Sequence, residues 1–281
     1  MALFTHIKKE DLARLKGICK VSPKTLYEDL RCTLEGVTLV LYASGKLLLQ
    51  GTAGDVKKVA EKLEKLGIGE REKVISFRKE DGWIIGSDEA LKGDTFGGIT
   101  VAAVKADEKM RQELVSLGVA DSKTLSDEEI IPMAEKIKKQ FPCEIKSIFP
   151  EEYNYFVKHH HKKEDEAQRK ESRITALLNK LHKDCAQYLV PGKHVVDKYP
   201  GCTVGSVREE KAESKYVEVA AASILARAAA LQQLNTLSKE AGFSVPKGST
   251  HVKDALLELK ESGLEFKKFV KVDFRNVKDV L

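Results

Sequence analysis

The chain has 281 residues, 42% hydrophobic and 32% charged, enough to bury one or two globular cores. No stretch approaches a transmembrane span, and the N-terminal MALFTHIKKEDLARLKG lacks the apolar core of a signal peptide, so a soluble cytoplasmic protein is expected. The net charge of +5 sits wholly in residues 1–80, with 16 Lys and Arg against 11 Asp and Glu, while residues 81–281 carry 32 of each; a partner bearing phosphates would suit the first segment, although an excess of that size is also ordinary on soluble domains.

Gly36 to Gly51, GVTLVLYASGKLLLQG, reads as a hairpin of two β-rich runs around Ala43-Ser44-Gly45, with Gly45 supplying the turn. Asp55 to Leu66 then places Val56, Val59, Ala60, Leu63 and Leu66 at helical spacing. Together they predict a small α+β domain over residues 1–70. The charged stretch Gly69 to Gly82 reads as a linker or an edge strand, with residues 71–82 as the boundary and 83–281 as a second domain. That domain opens on Trp83-Ile84-Ile85, the expected start of a buried strand, which runs into Asp88 and Glu89; a second strand follows over Gly98 to Lys105. Ser126 with Glu129 three residues on predicts a capping box for a helix from Asp127 to Gln140. Next come a strand over Cys143 to Ile148, a polar helical stretch over Asp165 to Leu189, and a short strand KHVVD ending at Asp197. An Ala-rich buried helix and a last helix closed by Gly263 complete the chain. The order implies an α/β domain with a mixed sheet.

Strands that bury apolar residues avoid unpaired carboxylates, which are costly there. The Asp88-Glu89 pair on a core strand therefore needs cations, and divalent metal is the usual answer. Asp197 ends another strand and Glu213 stands just before the buried helix, so four acids can converge on one sheet edge. Two divalent cations would relieve their mutual repulsion and form the clamp that cleaves phosphodiesters. Alone, Asp197 reads as a cap or turn residue and Glu213 as a solvated acid or helix-dipole partner. Asp94 is a turn residue or a supporting group. Lys123, in Asp121-Ser122-Lys123, either holds a phosphate or lies in a plain loop before a helix. Ser87 reads as a strand-end hydroxyl, since no histidine stands near it in sequence. His159-His160-His161 reads as a solvated helix face. The five scattered cysteines, with no CxxC pair, fit reduced buried thiols.

These motifs resemble the ribonuclease HIII family of type 2 ribonucleases H. IIGSDEALKGDTFGGITVAAV is similar to that family's IGSDEVGTGDYFGPITVAAV, GVADSKTLSD to its GVKDSKKLTD loop, and KAESKYVEVAAASILAR to its fourth-acid motif. The first domain, through LYASGKLLLQG, resembles the family's TATA-binding-protein-like substrate domain. The resemblance implies a ribonuclease H-like α/β fold for residues 83–281 and cleavage of the RNA strand of RNA–DNA hybrids, leaving 5′-phosphate and 3′-hydroxyl ends. It implies Mg2+ or Mn2+ as cofactor, with Asp88, Glu89, Asp197 and Glu213 as catalytic, metal-holding acids. Asp88 would bridge both metals, and Glu89 would also sense the ribose 2′-hydroxyl. Lys92, Gly93, Lys123, Tyr42 and Lys46 are the candidate substrate contacts; core packing is the alternative for Tyr42. Affinity is expected to fall steeply with salt, and loss of residues 1–80 to weaken binding more than chemistry. A monomer is the default.

Three positions depart from the family. Its Gly-Thr-Gly is here Leu91-Lys92-Gly93, which puts a side chain where the backbone would approach the ribose, with Lys92 able to compensate by pairing with a phosphate. Gly98 replaces a proline, expected as a minor backbone change. Asp273 replaces a histidine and is expected in solvent, with a metal contact as the alternative. The alternative function is a catalytically weak hybrid-binding or nucleic-acid-binding protein.

Overall fold

The computed structural model describes residues 2–15, 17, 19–21, 28–71, 77–119, 125–159 and 172–281. The chain divides into two compact units, Met1–Ile75 and Ser76–Leu281.

In the first unit, strands β1 (Ala2–Thr5), β2 (Cys19–Val21), β3 (Glu28–Leu34), β4 (Val37–Tyr42), β5 (Leu47–Gln50) and β6 (Glu70–Arg71) form an antiparallel sheet in the order β2-β3-β4-β5-β1-β6. A short helix α1 (Lys9–Leu12) and the longer α2 (Ala53–Lys65) complete it. The β4–β5 hairpin stands where the sequence puts it, with Gly45 at φ +78°. Thr52 caps α2 by accepting the Asp55 N–H, and the helix buries Val56, Val59, Ala60 and Leu63 against Phe4, Leu39, Leu41 and Leu49. The expected edge strand within Gly69 to Gly82 is β6. Phe77 to Gly82 lie in the second unit, where Arg78 bonds Glu209 at 2.6 Å and its N–H donates to the Lys215 carbonyl at 2.7 Å.

The second unit contains β7 (Ile84–Ala90), β8 (Ile99–Ala106), α3 (Glu108–Ser116), α4 (Asp127–Gln140), β9 (Cys143–Ile148), α5 (Pro150–His159), α6 (Arg173–Gln187), β10 (Lys193–Asp197), β11 (Val207–Glu209), α7 (Val217–Ala241), α8 (Lys253–Glu261) and α9 (Arg275–Lys278). Its sheet runs β11-β10-β7-β8-β9, with β7, β8 and β9 antiparallel in sequence and β10 and β11 parallel to β7. This is the mixed sheet of an α/β fold. Side chains alternate along β8: Ala102, Val104 and Ala106 pack with α4 and α7, while Ile99, Val101 and Ala103 pack with α5 and α6. Helices thus cover both faces, which is why β8 reads as a near-continuous apolar run. The Ser126–Glu129 capping box starts α4 as expected.

Some expectations need correction. Trp83 precedes β7 and is 40% exposed, with the Lys105 ammonium 4.6 Å from its ring. The polar helix is described only from Arg173, and Asp165 lies outside the described residues, as do His160 and His161; His159 is exposed. Gly98 is no minor change. A Cβ there would stand 2.1 Å from the Ile148 carbonyl oxygen, and its N–H donates to Gln233 Oε1 at 2.7 Å, a bond proline cannot make. Cys32 and Cys185 are buried free thiols. Among the described residues no helix is long and apolar enough to cross a membrane.

Candidate active site

β7 and β10 run parallel and adjacent, paired up to Ser87 and Val196. One residue further on, Asp88 and Asp197 stand at the same sheet edge, at the carboxyl end of both strands. This is where α/β sheets place their chemistry. Asp197 Oδ1 accepts the Ala212 N–H at 2.9 Å, tying β10 to the 3-10 turn Ala212–Ser214 that carries Glu213. Glu213 is 4% exposed. α7 follows that turn and packs directly on β7 at Gly86, where no side chain fits.

The pleat sends the adjacent acids to opposite faces. Asp88 turns toward α7, where it bonds the Ser223 hydroxyl, and its Oδ1 also accepts the Glu89 N–H at 2.8 Å. Burial pushes the Asp88 carboxyl well above its ordinary range, and Glu89 and Asp197 push it further. Glu89 turns toward α6. Burial raises it too, but His182 and Lys92 outweigh that and hold it below the usual glutamate range. Its Oε2 stands 3.3 Å from His182 Nε2 and its Oε1 is 3.1 Å from Lys92 Nζ.

Behind Glu89 lies a polar chain that sequence reasoning missed. The fully buried Ser87 hydroxyl sits 2.8 Å from both His182 Nδ1 and His194 Nε2. The Ser87 hydroxyl donates to one of these ring nitrogens and accepts an N–H from the other, while His182 Nε2 faces Glu89 Oε2. Burial, with help from His182, pulls His194 down to about 4, which keeps it neutral in that chain. Both histidines are remote from Ser87 in sequence. The available signal was parity, which puts Ser87 and Glu89 on one face of β7.

Lys92 is half-buried, 4.8 Å from the Tyr199 ring as well as bonded to Glu89, so its expected phosphate role competes with an internal partner. Gly93 is exposed with open space around it. Leu91 does not project from the loop; its side chain is buried with Phe96 and Leu234 while its backbone sits at φ +66°, a conformation costing a leucine about 1–2 kcal/mol. Asp273 is half-buried and not in solvent; its Oδ2 accepts the Tyr153 hydroxyl at 3.3 Å. Asp94 Oδ1 accepts the Gly248 N–H at 2.6 Å, a supporting contact for the loop. Asp121, Ser122 and Lys123 lie outside the described residues. Tyr42, half-buried, and Lys46, exposed, flank the β4–β5 turn of the first unit.

A hard, oxygen-only donor set with raised proton affinity at Asp88 fits divalent metal by its chemistry. Among the described residues, no three His, Cys, Asp or Glu side chains are drawn together closely enough to hold a metal as they stand.

The family model for ribonuclease HII matches residues 85–277, which spans both acid-bearing strands and α7. This chain belongs to the ribonuclease HII family, in its ribonuclease HIII branch. It is therefore a member of the ribonuclease H class of hydrolases. Ribonuclease HIII of Streptococcus agalactiae serotype Ia is 31% identical over 282 aligned residues, covering 92% of this chain and 90% of that protein. A Streptococcus pyogenes ribonuclease HIII is 32% identical, covering 90% of this chain and 85% of its own length. Among solved structures, Aquifex aeolicus RNase H3 superposes with a TM-score of 0.56 at 26% identity, over 97% of this chain and 100% of that one. Bst-RNase HIII in complex with Mn2+ shares the fold, with a TM-score of 0.59 at 24% identity, over 99% of this chain and 97% of that one.

Proposed function

We propose that this ribonuclease HIII homologue hydrolyses the RNA strand of RNA–DNA hybrids endonucleolytically, leaving 5′-phosphate and 3′-hydroxyl ends. The observation that carries the reading is Asp88 beside Asp197 at the ends of two parallel strands, with Glu89 and Glu213 adjoining. Asp88, Glu89, Asp197 and Glu213 would hold two divalent cations, Mg2+ or Mn2+. When bound, such cations make an attacking water acidic and stabilise the leaving 3′-oxygen. The chain's own part is orientation. Ser223 and the Glu89 N–H fix Asp88, the Ala212 N–H fixes Asp197, and His182 turns Glu89 toward the ribose 2′-hydroxyl.

We assign Lys92 and Gly93 to the edge of the site that meets the RNA strand. Lys92 would exchange Glu89 for a phosphate as substrate arrives. The basic first unit, through Tyr42 and Lys46 among others, would hold the duplex backbone. The enzyme is taken as a cytoplasmic monomer. The test is cleavage of three labelled duplexes, a full hybrid, DNA with one ribonucleotide, and all DNA, each with Mg2+, Mn2+ or chelator. Metal-dependent cutting of the hybrid, lost in folded Asp88→Asn and Asp197→Asn, is expected. Full activity in either variant would sink the site assignment, and hybrid binding without cleavage would favour the binding-protein reading.

A further inference from the structure

Lys271 is fully buried, and the main mechanism gives it nothing to do. Its ammonium bonds three backbone carbonyls of one loop: Leu91 at 2.8 Å, Asp94 at 2.6 Å and Gly97 at 2.9 Å. An ammonium has three protons, so donors and acceptors are matched one for one. The rings of Tyr153 and Phe274 flank it at 5.5 and 5.3 Å. Burial pulls this ammonium down to about 7 while Asp94 and Asp273 pull it up, and the third carbonyl needs the proton that deprotonation would remove.

The loop it grips starts two residues after Glu89. It contains the left-handed Leu91, the half-buried Lys92 and the open Gly93. The C-terminal segment reinforces the grip: the Lys271 N–H donates to the Thr95 carbonyl at 3.0 Å, and the Gly97 N–H to the Phe269 carbonyl at 3.0 Å. Three carbonyl oxygens turned inward on one point repel each other unless a cation sits there. Lys271 plays the part a bound ion plays in other loops.

We propose that Lys271 is a positioning residue for substrate: by gathering the Leu91, Asp94 and Gly97 carbonyls it fixes where Lys92 and Gly93 stand beside Glu89, and so sets affinity for the RNA strand. This rests on the hybrid-cleaving reading. It concerns binding, since Lys271 touches none of the four acids.

The experiment is Lys271→Met in the full chain, which keeps the stem and removes the three donors. Hybrid cleavage should show KM raised at least tenfold and kcat within threefold. Amide exchange should accelerate over residues 91–97 and stay slow in β7 and α7. An unchanged KM, or exchange accelerated equally across β7 and α7, would overturn the proposal. Should that variant fail to fold, Lys271→Ala refolded with n-propylammonium takes its place. Loop protection restored by the amine and not by n-propanol supports a cation clamp; no restoration by either, or equal restoration by both, overturns it. If the unmodified chain does not cleave hybrid at all, the proposed function fails, and the loop-exchange readout still decides the clamp.

Discussion

Gly86→Ala tests whether the site depends on α7 lying directly on β7. A Cβ built on Gly86 would stand 2.3 Å from the Val219 nitrogen and 2.4 Å from the Glu218 carbonyl carbon. Ordinary contact begins near 3.4 Å, so α7 must retreat by about 1 Å. Both clashing atoms are helix backbone, so no side-chain rotation can absorb the methyl group. Overpacking of this kind costs about 3 kcal/mol. For a unit of this size that is a loss of roughly 6–12 °C in Tm. The same displacement moves Ser223 away from Asp88, and a misplacement near 1 Å can cost roughly 100-fold in rate. The assay pairs a thermal melt with hybrid cleavage. Gly54→Ala is the control: it is exposed within α2, a Cβ there meets nothing within 4 Å, and alanine should stabilise that helix by about 0.5–1 kcal/mol. Gly86→Ala with unmodified Tm and kcat would refute the claim that β7–α7 contact sets the acid geometry.

His194 carries a pH signature. The unfolded chain takes up its proton near 6.5 and the folded chain only near 4, so folding stability falls as pH drops from about 6.5 to about 4, by up to about 3 kcal/mol. Asp88 works in the opposite sense, its raised folded affinity favouring the folded state as acid is added, so the comparison is unmodified chain against His194→Gln in urea melts with chelator; equal pH slopes would dismiss the effect. Arg111 and Glu218 form a buried pair at 3.0 Å, and Arg111→Met leaves the carboxylate uncompensated at a cost of about 3–5 kcal/mol, partly recovered in the double variant with Glu218→Gln by denaturant titration. Truncation should remove residues 1–75 and spare Arg78 and Glu80, which bond within the second unit. The truncated chain should bind hybrid more weakly with a shallower salt dependence and kcat changed less than KM; unchanged affinity would remove the first unit from substrate binding.

The elements that could be read from sequence are those whose cause is local. Gly45 makes its own turn, Ser126 and Glu129 cap their own helix, and Val56, Val59 and Leu63 mark their own buried face. The Asp88-Glu89 pair also stood out, because charge beside apolar strand residues is a conflict visible within a few positions, whereas Asp197 and Glu213 alone read as ordinary cap and solvated acids. What escaped was every partner supplied from afar. Ser87 meets His182 and His194 across 95 and 107 residues, and Lys271 reaches Leu91 across 180. A histidine within a polar helix and a lysine in KVDF carry no local sign of burial, since long charged side chains are ordinarily solvated.

Part of the distant structure was nonetheless implied by a local rule. Period-two alternation puts Asp88 on one face of β7 and Ser87 with Glu89 on the other. Two adjacent carboxylates on opposite faces must meet different helices, and so cannot share one environment. In those two settings Asp88 is pushed up by burial and then by Glu89 and Asp197, while Glu89, also raised by burial, is held down by His182 and Lys92. The acid pair is therefore two sites with different proton affinities, and of the two residues that complete Glu89, Lys92 comes from the adjoining loop and His182 from the helix that covers the Ser87 face. The neighbouring β8, apolar at both parities over ITVAAV, is the sequence sign that helices cover both faces. Only the packing of α6 reveals that it brings a histidine.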